Sequence, residues 1–511
     1  MEYFDTRDYD LAGRIGKLKT KHGIIETPYL FPVIDPIRQQ PSLETIRSLG
    51  FNGIITNAYL FYRRNKGLPK KIHDSLKWNN TIMTDSGGYQ VLIYGDVEVD
   101  NKTIVEYEKK IGTDIAVILD IPTGIKMSWE EARQALFETN KRAVEALPYI
   151  MDSDQLWVFP VQGSPYKDLL LISTSTAWRL PYHINAFGSP TVLLEKYEYD
   201  KILDLVGFAR LHLPPHKPLH VFGVGHPMII PFLVALGGDL FDSASYILYA
   251  RDNRYMTETG TKKLEELHYL PCNCPVCSKY TVKELLEMPR KKRVEYLALH
   301  NLYMLRKEIN NVKQAIKEGR LWEYLEYKSK SHPTLRKAFE IVKKYTRYLE
   351  KYNPETKGTT HALLLIDKDS HHNPRLIRIK RKVYGMLSNK KLENILLIPA
   401  YKKPYNQQIE YIEAKRKYHE YTILFYHPYL GVFPPQLANT YPYFQHEVGI
   451  IDKEVITKAS KEILQVINKL RPKKIIIVQP VEEKYYLLTH EIIKWLRTKT
   501  TYTLDVLSFR T

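Results

Sequence analysis

The stretch Thr81-Ile82-Met83-Thr84-Asp85-Ser86-Gly87-Gly88-Tyr89-Gln90 reads as a short apolar strand that ends in an acid and runs into two glycines. A backbone can turn sharply there, and a flat ligand can lie against bare main chain. Asp-Ser-Gly-Gly is also ordinary turn chemistry, so its weight comes from repetition along the chain. Comparable runs occur at Pro28 to Val33, Gly53 to Thr56, Ile115 to Leu119, Trp157 to Val161, His183 to Phe187, Leu219 to Phe222 and Asp239 to Phe241. Most are followed by a loop and room for a helix, although the spacing after Gly53 to Thr56 is tight. Strands alternating with helices in this way predict an α/β protein, a (β/α)8 TIM barrel over residues 1–265, with a doubly wound open sheet as the alternative.

A barrel requires its chemistry to collect where the strands end. Asp85 follows the third run, Asp120 follows the fourth in Val117-Ile118-Leu119-Asp120-Ile121-Pro122, and Gln162-Gly163 follow the fifth. Gly188 follows the sixth, Gly223-Val224-Gly225-His226 the seventh, and Asp242 closes the eighth in Gly238-Asp239-Leu240-Phe241-Asp242-Ser243. Any one of these acids reads equally well as a helix N-cap. Together they define one mouth.

Cys272, Cys274 and Cys277 all lie within Pro271-Cys272-Asn273-Cys274-Pro275-Val276-Cys277. This is no disulfide framework; it has the spacing of a metal knuckle. With His300 on the following helix it makes a closed Cys3His set, predicting one structural Zn2+ per chain, and His268 is the alternative fourth ligand. The amphipathic pattern runs from Lys291 to about Tyr324 and again from Leu335 to Leu349. A zinc-binding and helical subdomain over 266–352 therefore completes the catalytic domain. After a linker at Asn353 to Gly358, strands at Leu363 to Ile366, Ile395 to Pro399, Thr422 to Tyr426, Lys474 to Val478 and Tyr502 to Leu507 predict a smaller C-terminal α/β domain over 360–511. The basic run Arg375 to Lys382 lies near its start, and Lys402-Lys403-Pro404-Tyr405 follows its second strand.

The chain of 511 residues carries a formal charge of +18, from 75 basic against 57 acidic side chains, which points to a polyanionic partner such as nucleic acid. Its 38 tyrosines add flat side chains able to stack on bases. No apolar run is long enough to span a membrane, and Met1-Glu2-Tyr3-Phe4-Asp5 does not start a signal peptide, so the expectation is a cytoplasmic protein without a membrane partner.

These motifs, in this order, resemble the tRNA-guanine transglycosylases. The resemblance rests on Thr84 to Gln90, Val161-Gln162-Gly163, Phe222-Gly223-Val224-Gly225-His226-Pro227, Asp239 to Ser243 and the cysteine knuckle with His300. The wording Phe241-Asp242-Ser243-Ala244-Ser245-Tyr246 and the knuckle are similar to the archaeal type. It covers roughly residues 10 to 350. The family implies exchange of guanine at position 15 in the D loop of tRNA for 7-cyano-7-deazaguanine (preQ0) through a covalent ribosyl enzyme. It makes Asp85 and Asp242 the catalytic pair. Analogy with bacterial relatives makes Asp242 the nucleophile and Asp85 the acid/base; archaeal relatives have also been described with the nucleophile at the position of Asp85. Substrate-binding positions carried over are Ser86, Tyr89, Asp120, Gln162, Gly188 and Gly223. Asp120 would accept the 2-amino and ring N–H edge of the base, Gln162 and Gly188 would meet its carbonyl edge, and Tyr89 would stack on its face. Ser189 stands where archaeal relatives commonly have a second glycine. The resemblance also implies a homodimer.

The C-terminal domain weakly resembles that of archaeosine synthase. Pro399-Ala400-Tyr401-Lys402-Lys403-Pro404-Tyr405-Asn406-Gln407-Gln408 keeps Lys-Pro-Tyr but has alanine and glutamine in place of the motif's cysteine and serine. The expectation is a degenerate domain with a tRNA-binding or accessory role, and a PUA-type RNA-binding module supplied separately if at all. The competing readings are an archaeosine-synthase-like enzyme and a catalytically silent tRNA-binding partner subunit. If the excess positive charge meets tRNA phosphates, affinity for tRNA should fall steeply and log-linearly with salt, by a slope of ~0.9 per neutralised phosphate. An affinity that stays level across a KCl titration would contradict this.

Overall fold

The computed structural model describes residues 3–88, 99–188, 190–358, 362–390, 392–498 and 502–508. It divides into two compact units, Met1–Tyr352 and Asn353–Thr511.

The first unit is built on eight parallel strands: β1 (Tyr29–Pro32), β2 (Gly53–Asn57), β3 (Thr81–Asp85), β4 (Ile115–Val117), β5 (Leu156–Val161), β6 (Ile184–Phe187), β7 (Leu219–Val221) and β8 (Leu240–Ser243). Their residues are almost all buried, as expected of strands covered on both faces. Each pairs with its neighbour in chain order from β2 to β8, and β8 returns to β1 with Phe241 opposite Leu30 and Asp242 opposite Phe31. A parallel bridge between Val33 and Ile55 joins β1 to β2 and closes the ring. The sheet is a (β/α)8 barrel, and the open-sheet alternative is excluded.

Two strand ends differ from expectation. β4 stops at Val117, where side chains of the helix Asn101–Ile111 take main-chain amides: Val117 N–H donates to Glu108 Oε1 at 3.4 Å and Leu119 N–H to Asn101 Oδ1 at 3.1 Å. β8 continues through Ser243, so Asp242 lies within it. The short interval after β2 holds two small helices, Ala58–Arg64 and Ile72–Leu76.

Residues 4–26 form an antiparallel three-stranded sheet outside the barrel, which the strand-loop-helix reading missed. One buried ion pair ties it down. Arg14 donates to Asp239 through Nε at 2.9 Å and Nη2 at 2.7 Å, and Asp239 Oδ2 also accepts the Leu219 amide at 2.8 Å.

The long helix after the knuckle runs Arg290–Glu318, shorter than expected, because Gly319 takes the left-handed conformation (φ 67°) that ends it. Separate helices follow at Leu321–Ser329, Pro333–Lys344 and Thr346–Tyr352. The hairpin Arg254–Thr257 with Gly260–Lys263, also absent from the sequence reading, leads into the knuckle.

In the second unit, Thr422–His427, Asn394–Pro399, Lys474–Val478 and Thr503–Leu507 form a parallel sheet, edged by the antiparallel Gly431–Phe433. A separate parallel pair joins Leu363–Leu365 to His446–Val448. The basic run Arg375 to Lys382 lies on the helix Pro374–Ser388.

Replacing Arg14 by methionine would leave Asp239 buried without the cation that hydrogen-bonds it, a loss of about 3–5 kcal/mol. The expected readout is a lower urea midpoint for the barrel transition; an unchanged midpoint would show that the pair contributes nothing.

Candidate active site and metal centre

The C-terminal ends of the barrel strands open on a cleft of about 510 Å³ whose lining includes Asn57, Asp85, Asp120, Gln162, Gly223 and Asp242. The polar groups expected at strand ends thus converge. Asp85 is the last residue of β3, and Asn57, the last of β2, donates through Nδ2 to Asp85 Oδ2 at 3.2 Å. Asn57 escaped the sequence reading, although its strand-end position was a usable signal.

Asp120 is pinned from one side. Gln162 Nε2 donates to Asp120 Oδ2 at 2.6 Å, and Gln162 Oε1 accepts from the Thr123 amide at 2.9 Å and hydroxyl at 3.1 Å. The amide of Gln162 can therefore point only one way. Gly88 packs against the same carboxylate: a methyl group there would stand 2.2 Å from Asp120 Oδ1, so any larger residue would displace it.

Asp242 accepts two hydrogen bonds on one oxygen, Oδ1, from the Gly223 amide at 3.0 Å and from His220 Nε2 at 2.8 Å. His220 was not foreseen. It sits inside β7 and resembles any buried histidine until β8 is placed beside it.

Burial in this mouth alters the chemistry of Asp85 and Asp120. Burial, then the charges of Asp120 and Asp242, raise the Asp85 pKa to about 7. Burial raises Asp120 to about 6, opposed by its bond from Gln162. Near neutral pH Asp85 is therefore poised between its protonated and ionised forms.

Of the other expected positions, Ser86 is fully buried, with its Oγ unpartnered among the described residues. Neither Ser86 nor Gly188 belongs to the cleft lining, although a Cβ at Gly188 would stand 2.6 Å from Gln162 Oε1. Tyr89 and Ser189 lie outside the described residues.

A second constellation gathers Cys272, Cys274, Cys277 and His300, with their ligand atoms within 4.8 Å of one another; His268 is not among them. His300 Nδ1 lies 3.5 Å from Cys274 Sγ and 3.4 Å from Cys277 Sγ. Its other nitrogen, Nε2, donates to the Met256 carbonyl at 2.9 Å, which turns the Nδ1 lone pair towards the thiols. Tyr255 stacks on the ring at 3.7 Å. Three sulfurs and one oriented imidazole fit a metal ion held entirely by protein.

A family model described as queuine tRNA-ribosyltransferase matches residues 9–334. The chain is 44% identical over 470 residues to the tRNA-guanine(15) transglycosylase of Sulfolobus acidocaldarius, covering 91% of this chain and 93% of that protein. It is 44% identical over 477 residues to the tRNA-guanine(15) transglycosylase of Aeropyrum pernix, covering 92% of each. With the Pyrococcus furiosus protein of the same name, identity is 40% over 452 residues, 87% of this chain and 70% of that protein. An alignment of 470 residues is longer than the first unit, so the second unit is also shared with proteins of that name. On this evidence the chain belongs to the tRNA-guanine transglycosylase family of pentosyltransferases.

Proposed function

We propose that this protein exchanges guanine at position 15 of tRNA for 7-cyano-7-deazaguanine through a covalent ribosyl intermediate. The observation that carries the reading is the convergence of Asp85, Asp120 and Asp242 on one cleft, with Asp85 raised to about 7. Exchange at an anomeric carbon needs a carboxylate nucleophile and a group that gives and retakes a proton. Asp242, anchored through Oδ1, attacks C1′ with its other oxygen. The C1′–N9 bond breaks, its electron pair leaves with guanine, and Asp85 supplies the proton that neutralises the departing base. The incoming deazaguanine gives its N9 proton to Asp85 and attacks C1′, and the ester bond to Asp242 breaks to restore the carboxylate. Asp120 receives the N–H edge of either base, held in place by Gln162.

The retained acids favour this reading over a silent tRNA-binding subunit. In the second unit, the side chains that stand at the archaeosine-synthase-like motif are engaged within the fold, which speaks against a second chemistry there. Gln408 there accepts the amides of Tyr401 at 3.2 Å and Lys402 at 3.1 Å, and the Lys403 ammonium is engaged by the carbonyls of Phe444 and His446. In the knuckle we assign zinc as a structural ion held by Cys272, Cys274, Cys277 and His300.

The decisive assay follows loss of radiolabelled guanine from tRNA when 7-cyano-7-deazaguanine is added. Asp242→Asn should abolish release while tRNA binding persists, and Asp85→Asn should slow it by about 10²–10⁴-fold. Full activity in either variant would overturn the assignment. Exchange should also be bell-shaped in pH. It should fall above about 7 as Asp85 loses the proton it must donate, and below about 6 as Asp120 gains one and stops accepting the base edge. A flat profile across that window would exclude these groups. Cys274→Ser should release the metal and loosen the knuckle, measured as zinc content and protease sensitivity; undiminished zinc would refute the ligand set.

A further inference from the structure

Two groups anchor Asp242 through Oδ1, the Gly223 amide and the His220 ring, and only the second is a side chain. His220 lies in the middle of β7, opposite Ala186 of β6 and Leu240 of β8. It is fully buried, with the ring of Phe222 at 4.5 Å and that of Phe31 at 6.2 Å. Its Nδ1 has no hydrogen-bond partner among the described residues, while Nε2 stands 2.8 Å from Asp242 Oδ1. A hydrogen on Nδ1 would face no acceptor among the described residues, whereas one on Nε2 is received by the Asp242 carboxylate.

This donor and the Gly223 amide converge on the same oxygen. Oδ2 receives no hydrogen bond among the described residues, and Asp242 lines the cleft with a side chain 11% exposed. The two donors thus distinguish two chemically equivalent oxygens. We infer that His220 is a positioning residue that locks the Asp242 carboxylate through Oδ1 so that Oδ2 alone is presented to the anomeric carbon. The inference rests on the reading of Asp242 as nucleophile. It also explains a polar side chain in an apolar barrel wall: when the ester forms on Oδ2, Oδ1 becomes its carbonyl oxygen and keeps both donors, so no bond is lost along the path.

The test compares His220→Gln, His220→Asn and His220→Leu in steady-state exchange, with mass mapping of the ribosyl adduct trapped by rapid denaturation of wild-type protein. Glutamine places an N–H near the position of Nε2; asparagine is equally polar but too short to reach Asp242. We expect kcat to fall about 10- to 100-fold for leucine and asparagine, the scale of a donor lost from a charged acceptor, with KM for tRNA unchanged and most of kcat restored by glutamine. Equal activities for glutamine and asparagine would overturn the positioning role, as would a leucine variant with wild-type kcat, even if the adduct maps to Asp242. An adduct on Asp85 would overturn the nucleophile reading and this inference with it. A fall in kcat for all three variants together with a lowered melting temperature would mean that His220 serves only packing.

Discussion

Closure of the parallel sheet is the constraint on which the rest of the first unit depends. Once the Val33 to Ile55 bridge joins β1 to β2, all eight strands point the same way around one ring, and residues far apart in sequence must end at one mouth. Three carboxylates are brought together there by the ladder, against their mutual repulsion. The apolar wall that holds the barrel shut also withholds water from them, and Asp85 responds by holding its proton to about 7. Stability and reactivity have a common source in this site.

Asp239 and Asp242 show how strictly position along a strand divides these roles. Only three residues apart, they serve opposite ends of β8. Asp239, fully buried just before the strand, accepts Nε and Nη2 of Arg14 and anchors the N-terminal sheet. Asp242, near the other end, is held by one oxygen and left reachable by the other. The first is neutralised by a countercharge; the second is oriented by two hydrogen bonds on one oxygen and lines the cleft.

The Cys3His cluster follows a different logic. Its cysteines are local in sequence, yet its histidine is aimed by a residue of the hairpin, Met256, whose carbonyl fixes the His300 ring. The knuckle therefore ties the hairpin and the long helix Arg290–Glu318 to each other, and its geometry depends on both.

The alternation of apolar runs with helical spacing, and the acids and glycines at the run ends, made the barrel and the mouth legible, because strand period and turn chemistry are local properties. So was the knuckle, since ligand spacing is written directly in the chain. The antiparallel N-terminal sheet was hidden because its strands carry a mixed polar pattern and sit outside the repeat. The choice between His300 and His268 needed the packing of the hairpin. Asn57 stood at a readable strand end, but its partner did not show, and His220 gave no signal at all: each acts through a neighbour on an adjacent strand, and lateral register is decided only when the sheet closes. Sequence by itself determined which residues stand at the strand ends. Tertiary structure decided which of them touch, and through contact and burial, which hold a proton and which are held in place.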